Sequence, residues 1–403
     1  MKKVISTEQV PIKLWLDNIE EGALEQAKNL ANLPFSFRHI AIMPDSHQGY
    51  GMPIGGVLAT DGVIIPNAVG VDVGCGMCAV KTSLTHIKQE TLKNILGDIR
   101  KEIPLGKNHN KEAQDYNLMP GYSGNMKIVD EQFDSARKQL GTLGGGNHFI
   151  EIQKGSDGYI WIMIHSGSRN LGKKVADYYN KLAIELNEKW KIGIPKSYQL
   201  AYLPANSQEG SDYLKEMKYC VEFAKANRKL MMEKVCKIVK RHKPFHASIE
   251  SECGLSTSDM RETTFEPMID VAHNYATIEN HFKHTVWVHR KGATSAKKDE
   301  IGIIPGSQGT ASYIVKGLGN PESFMSCSHG AGRKMSRAKA QTELNLEEEK
   351  KKLDDQGILH AIRGKSDLDE ASGAYKDIDE VMENQKDLVE ILIKLTPLAV
   401  VKG

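Results

Sequence analysis

The sequence predicts a single α+β domain. Short β-like runs bounded by glycine turns fill the first third and return after residue 284, and two long amphipathic stretches lie between them. No Pro/Ser-rich linker, internal repeat or low-complexity block divides the 403 residues. Length alone would allow two or three domains, so the missing linker is what favours one, spanning 1–403.

From the N-terminus, HIAIMP, GGVLAT, GVIIP and GMCAVKTS read as strands, each an apolar or β-branched run closed by a turn residue. HFIEIQ and GYIWIMIH form a second strand block. Between about 173 and 193, Val175, Tyr179, Leu182, Leu186 and Trp190 recur every three to four residues, and over 211–242 Leu214, Met217, Val221, Ala224, Met231, Val235 and Ile238 do the same. Both are amphipathic helices, together a helical excursion over roughly 173–242. The second could pack outside the sheets as a sub-domain, its Met, Cys and Val stripe serving as core. TVWVHR, IGIIP and ASYIVKG return to strands, QTELNLEEEKKKLDD reads as a charged helix with a solvated EEEKKK face, and DIDEVMENQKDLVEILIKL as another amphipathic helix before the terminal LAVVKG.

Composition excludes several classes. Hydrophobic content of 40% and charged content of 26% suit a globular protein, and no apolar run approaches the length that spans a bilayer. Ser6, Glu8, Lys13 and Asp17 break the N-terminal segment before it reaches signal-peptide length, so a cytoplasmic location is expected. Cysteines at 75, 78, 220, 236, 253 and 327 give one Cys-x-x-Cys and otherwise irregular gaps, which is no disulfide framework. A net charge of +2 announces no basic tail, so any polyanion site must be a local concentration of Lys and Arg. The 36 glycines cluster beside polar residues and build turns at candidate sites.

In VDVGCGM, Asp72 and Cys75 lie three apart and Gly74 and Gly76 let the backbone bend between them. A carboxylate disfavours the thiolate that nucleophilic attack requires, whereas a cation between the two groups would ionise the thiol. A plain buried cysteine is as good a reading of this segment alone. Other ligands decide: LGGGNHFIE offers Asn147, His148 and Glu151, WIMIHSGSRNLG offers His165, and VAHNYATIENH offers His273, each His following an apolar run into a turn. Three such histidines with an Asp/Cys pair match the ligand repertoire of Zn, Fe, Co or Mn, and five ligands are enough for two ions sharing one.

SCSHGAGRKMSR places His329 before Gly330 and Gly332, then Arg333, Lys334 and Arg337, which suits a phosphate close to the backbone and clamped by guanidiniums. His329 could be base, ligand or phosphoryl acceptor. Nearby, GIIPGSQGTASY adds Gly306, Ser307, Gly309, Thr310 and Ser312, a loop that is neither a Walker A nor a GxGxxG, so a nucleotide site of another type is expected. Arg169, Arg290, Lys291, Arg333 and Arg337 sit beside these histidines and make a phosphate-rich substrate the expectation.

GVDVGCGM, LGTLGGGNHFIEI, WIMIHSGSRNLG, HNYATIENH, HRKGATSA, GIIPGSQGTASYIVKGLGN, SCSHGAGRKMSR, AYKDIDEVM and VVKG, in this order, closely resemble the RtcB family of RNA-splicing ligases. The resemblance runs from MPDSHQGYG near residue 43 to the last residue. It implies sheets surrounded by helices and a GTP-dependent ligase using two Mn(II) ions. Such an enzyme joins RNA 3'-phosphate or 2',3'-cyclic phosphate ends to 5'-hydroxyl ends. By the same resemblance Cys75 bridges the ions, with Asp72 and His148 on one side and His165 and His273 on the other, and His329 becomes guanylylated. Asn147, His148, Phe149, Ile150, Glu151, His273, Asn274, Pro305, Gly306, Ser307, Gln308, Ser312, His329, Gly330, Ala331, Gly332, Tyr375 and Lys402 match guanylate-binding positions, Tyr375 as the ring that stacks on guanine. Arg169, Arg333 and Arg337 match positions of phosphate or RNA contact. The expected partners are RNA and GTP, with no membrane; an activating protein partner stays open, and a monomer is expected. Ser46, Gln48 and Gln308 depart from the family's usual PDVHLG and PGSMG. The rival readings are a metal-dependent phosphatase or nuclease, and a non-catalytic RNA-binding repair accessory.

Overall fold

In the computed structural model, which describes residues 1–122, 124–242 and 262–403, the strand-forming runs assemble into two principal sheets. One has six strands in the order Lys3–Ile5, Ile12–Leu14, Ser36–His47, Ile54–Thr60, His284–Lys291, Asn274–His281. The other has seven: Ile269–Ala272, Gly76–Lys81, Ile160–Ser166, Phe149–Gly155, Val389–Lys402, Ser312–Gly317, Ile301–Ile304. Every pairing in the seven-stranded sheet is antiparallel.

Register in that sheet decides where the site lies. Gly76 stands opposite both Ser166 and Ala272, and Phe149 stands opposite His165. Four adjacent strands therefore start just after Cys75 and His148 or finish just after His165 and just before His273, all at one end of the sheet. Period-2 alternation then sends Ile150 and Ile152 into the core while Phe149 and Glu151 face the cavity described below.

Helices cover the sheets. The two expected amphipathic helices are Arg169–Lys189 and Gln208–Arg241, and the longer one is no outlying sub-domain. Its Met231, Met232, Val235, Ile238 and Val239 share one core with Cys78, Val80, Ile150, Ile152, Ile162 and Ile164 of the seven-stranded sheet. Burying each such aliphatic side chain contributes about 1.5–3 kcal/mol, so the stripe is a large part of what holds this sheet face covered. Helices Glu21–Ala31, Gln89–Glu102 and Lys127–Gln139 join them. These three are not among the helices expected from periodicity.

Two expectations at the C-terminus are corrected. The stretch from 377 to 395 is helical only over Ile378–Glu383, and a strand begins at Val389. Val389, Ile391 and Ile393 alternate with other residues at a period of two, and β-branched side chains on that period suit a central strand, here between Ser312–Gly317 and Phe149–Gly155. The charged helix over 341–355 is two helices, Arg337–Glu343 and Leu346–Asp355. Asn345 between them accepts from the backbone N–H of Glu347 and Glu348, an N-cap that starts the second helix.

Cys75, Cys78, Cys220, Cys236 and Cys327 are free thiols, and Cys253 lies outside the described residues. Among the described residues no helix is long and apolar enough to cross a membrane.

Candidate active site

The strand ends open into a cavity of about 990 Å³. Its floor is a cluster of soft and nitrogen donors: Cys75 Sγ lies 3.4 Å from His148 Nε2 and 3.3 Å from His165 Nε2, and His148 Nε2 lies 3.3 Å from Asp72 Oδ2. His273 continues the row, its ring centroid 5.2 Å from that of His165 and 4.9 Å from that of His329.

The surroundings orient these donors. His148 Nδ1 donates to the Leu143 carbonyl at 2.9 Å and His165 Nδ1 to the Asn147 carbonyl at 3.1 Å, which leaves both Nε2 lone pairs for the space beside Cys75. Burial first, then neighbouring imidazoles and cations, holds His165 and His273 well below the ordinary histidine value, so both are neutral and able to bind a cation. His273 Nδ1 is buried with no hydrogen-bond partner among the described residues. Burial and the Asp72 carboxylate push the Cys75 thiol far up, so the protein alone does not ionise it. An attacking thiolate needs the opposite environment, and a metal-bound one supplies its own cation. One carboxylate, one thiol and three imidazoles fit divalent transition ions. Asp72 fits because Gly167 is small: a Cβ there would lie 2.5 Å from Asp72 Oδ1.

His329 stands at the side of the cluster under different control. Its Nδ1 lies 2.6 Å from Asp45 Oδ2, and the same oxygen accepts the His329 backbone N–H at 3.1 Å. Burial would raise the fully enclosed Asp45 carboxyl, yet the His329 contact holds it below its ordinary value, so it is ionised. An ionised carboxylate on Nδ1 fixes the tautomer that leaves Nε2 unprotonated.

Another part of the cavity wall is a charged group around Glu370, which is 3% exposed. Arg337 Nε donates to it at 2.9 Å, Arg333 lies 3.3 Å away, and the Tyr375 hydroxyl donates to its other oxygen. Burial lowers Lys402 and raises Glu151 well above its ordinary value; Glu151 Oε1 is buried without a partner among the described residues. An orphaned acceptor at a cavity wall suits a ligand that brings N–H or O–H donors.

The motifs were scattered along the chain, and the cavity gathers them. In comparison with known families, the RtcB family, described as tRNA-splicing ligase RtcB, matches residues 26–120 and 119–403. This chain belongs to that family. The RNA-splicing ligase RtcB of Escherichia coli strain K12 is 39% identical, covering 100% of this chain and 99% of its own length. The tRNA-splicing ligase RtcB of Thermococcus kodakarensis is 32% identical over 95% of this chain and 92% of its own. For the RNA-splicing ligase RtcB of Mycobacterium bovis the figures are 32%, 94% and 100%.

Of the RtcB-like positions read from sequence, Asp72, Cys75, Asn147, His148, Phe149, Glu151, His165, His273, Asn274, Pro305, Gly306, Ser307, Gln308, His329, Gly330, Ala331, Gly332, Arg333, Arg337, Tyr375 and Lys402 line the cavity. Three do not. Ile150 faces the core, Ser312 Oγ is spent on Gly306 N and Gln153 Nε2, and Arg169 binds Thr142 Oγ1 and the Gly106 carbonyl. Asn274 lines the cavity but its amide is committed: Nδ2 donates to the Asp72 carbonyl and Oδ1 accepts from Gly292 N. Gln308, a departure from the family pattern, donates to the Glu370 carbonyl at 2.9 Å. Arg290 is no phosphate contact, since it is fully buried against Glu279, whereas Lys291 beside it does line the cavity. Asp45 and Glu370 were missed. Asp45 carried a signal, the end of the apolar run HIAIMP in MPDSH; Glu370, among the acidic residues of DLDEASG, carried none.

Proposed function

We propose that this chain is a GTP- and Mn(II)-dependent RNA ligase that joins 3'-phosphate or 2',3'-cyclic phosphate ends to 5'-hydroxyl ends. The observation that carries the reading is His329: one ring nitrogen is held by a buried carboxylate, and the other is free beside a constellation of metal-ligand type. A hydrolase could use the same imidazole as a base, but it needs no covalent guanylate on it, and that adduct is what separates the two readings.

Asp72, Cys75, His148, His165 and His273 are the residues that would hold the ions. Bound there, divalent ions neutralise phosphate oxygens and make the α-phosphorus of GTP more electrophilic. His329 Nε2 attacks that phosphorus, the N–P bond forms as the bond to pyrophosphate breaks, and Asp45 stabilises the positive charge that develops on the ring. The guanylate is held by the Gly330 to Gly332 backbone, the Ser307 loop and Lys402, with Tyr375 against the base and the unpaired Glu151 oxygen accepting a donor. It passes next to the RNA 3'-phosphate, restoring free His329 and giving a diphosphate-linked end. Attack by the 5'-hydroxyl forms the phosphodiester and releases GMP. A cyclic phosphate is opened by water first. Arg333 and Arg337 stand where RNA phosphates would approach.

Incubation with α-labelled GTP and Mn(II) should leave an acid-labile adduct on the wild type and none on His329→Ala. No adduct on the wild type rules the mechanism out and favours the phosphatase or nuclease reading; an adduct surviving in His329→Ala rules out His329 as the guanylate acceptor.

A further inference from the structure

In the middle of the apolar stripe of the Gln208–Arg241 helix sit two fully buried polar residues, Asn227 and Arg228. The Arg228 guanidinium grips both oxygens of Asp270, Nε at 2.7 Å and Nη2 at 2.8 Å. Its Nη1 donates to two main-chain carbonyls, Gly74 at 3.1 Å and Ser166 at 3.0 Å. Each partner adjoins a candidate metal ligand: Gly74 precedes Cys75, Ser166 follows His165, and Asp270 lies in the strand that ends just before His273. One side chain thus ties together three separate ligand-bearing segments.

Stability alone explains this poorly. A buried ion pair contributes little relative to apolar residues of the same volume, because desolvation offsets most of the attraction. What apolar residues cannot supply is a planar fork whose donors hold two main-chain carbonyls and one carboxylate at set distances and directions. Asn227 works beside it, donating to the Gly167 carbonyl and to Ser166 Oγ.

We propose that Arg228 is a positioning residue for the metal site: it sets the mutual placement of Cys75, His165 and His273 that closes them on bound ions. This rests on the metal reading above. Cobalt(II) is the probe, because thiolate-to-cobalt absorption reports Cys75 coordination without any ligation assay. Full-length wild type, Cys75→Ala, Arg228→Lys and the double variant Arg228→Met/Asp270→Leu are titrated with cobalt, and their urea unfolding midpoints are measured without metal.

The wild type should show the absorption and Cys75→Ala should lose it. The double variant, whose apolar pair replaces the ion pair, should unfold close to the wild-type midpoint yet bind cobalt about 10- to 100-fold more weakly. Arg228→Lys, which keeps the charge but not the fork, should fall between. A folded double variant with wild-type cobalt affinity overturns the proposal; should that variant not fold, wild-type affinity in Arg228→Lys overturns it equally. A wild type that binds no cobalt is a different failure: it removes the metal reading itself, and the inference with it.

Discussion

Asp45 is the residue on which the chemistry of His329 turns, and its role gives a sharp expectation. Replacing it by Asn keeps the shape but removes the negative charge, and the amide can meet Nδ1 with either of its ends. The Nε2 lone pair is then no longer enforced. Asp45→Asn should slow single-turnover guanylylation by about 10²- to 10⁴-fold with an unfolding midpoint near that of the wild type. A loss of less than tenfold would show that Asp45 merely packs. His289 gives a second expectation: its Nε2 accepts from Ile65 N at 3.0 Å, which requires the neutral ring, and burial lowers its pKa to about 4. Between about 6.5 and 4 the unfolded chain binds a proton that folded His289 does not, so stability falls as pH falls. The cost is about 1.4 kcal/mol per pH unit for such a group. Urea unfolding at pH 7 and 5 should show a smaller drop in His289→Gln than in the wild type. Legibility differs among these residues for a physical reason. His165 and His273 end apolar runs and His148 opens one, a local signal; Asp45 meets His329 across 284 residues, and no spacing encodes that.

At the level of elements, most strands were legible because short apolar runs between glycines have few other ways to be buried. The segment 377–395 was misread because apolar residues spaced three or four apart also satisfy a two-residue period when the run is dense. Which period wins is set by the neighbouring strands, not by the segment. The helix Gln208–Arg241 was visible, but its place was not, since an apolar stripe does not say which sheet it covers. Gly74 shows how closely that helix is fitted: its φ is +75°, and a Cβ would lie 2.7 Å from the Val221 Cα, backbone against backbone. Gly74→Ala should therefore shift the turn that carries Cys75. We expect a destabilisation of about 1–3 kcal/mol by thermal unfolding, together with weakened metal binding. Unchanged metal affinity would mean that the turn yields elsewhere.

Across the whole molecule the charges nearly cancel, with 53 basic and 51 acidic residues, so no global field draws RNA in. The attraction must come from how cations are placed, and the cavity walls concentrate Lys291, Lys334, Arg333, Arg337 and Lys402. They are not equivalent. Arg333 and Arg337 are engaged with Glu370, Lys291 donates to the carbonyls of Tyr50 and Asn67, and burial lowers Lys402. Lys334 is exposed. It is thus the cation whose contribution should follow counterion release most simply. Each phosphate neutralised on a single strand adds about 0.7 to the slope of log affinity against log salt. Lys334→Ala should weaken binding of a 3'-phosphate RNA to a similar degree whatever its sequence, and reduce that slope by about 0.7, with guanylylation of His329 unchanged. Fluorescence anisotropy across a salt series measures it. A variant that keeps the wild-type slope would place the RNA path away from Lys334.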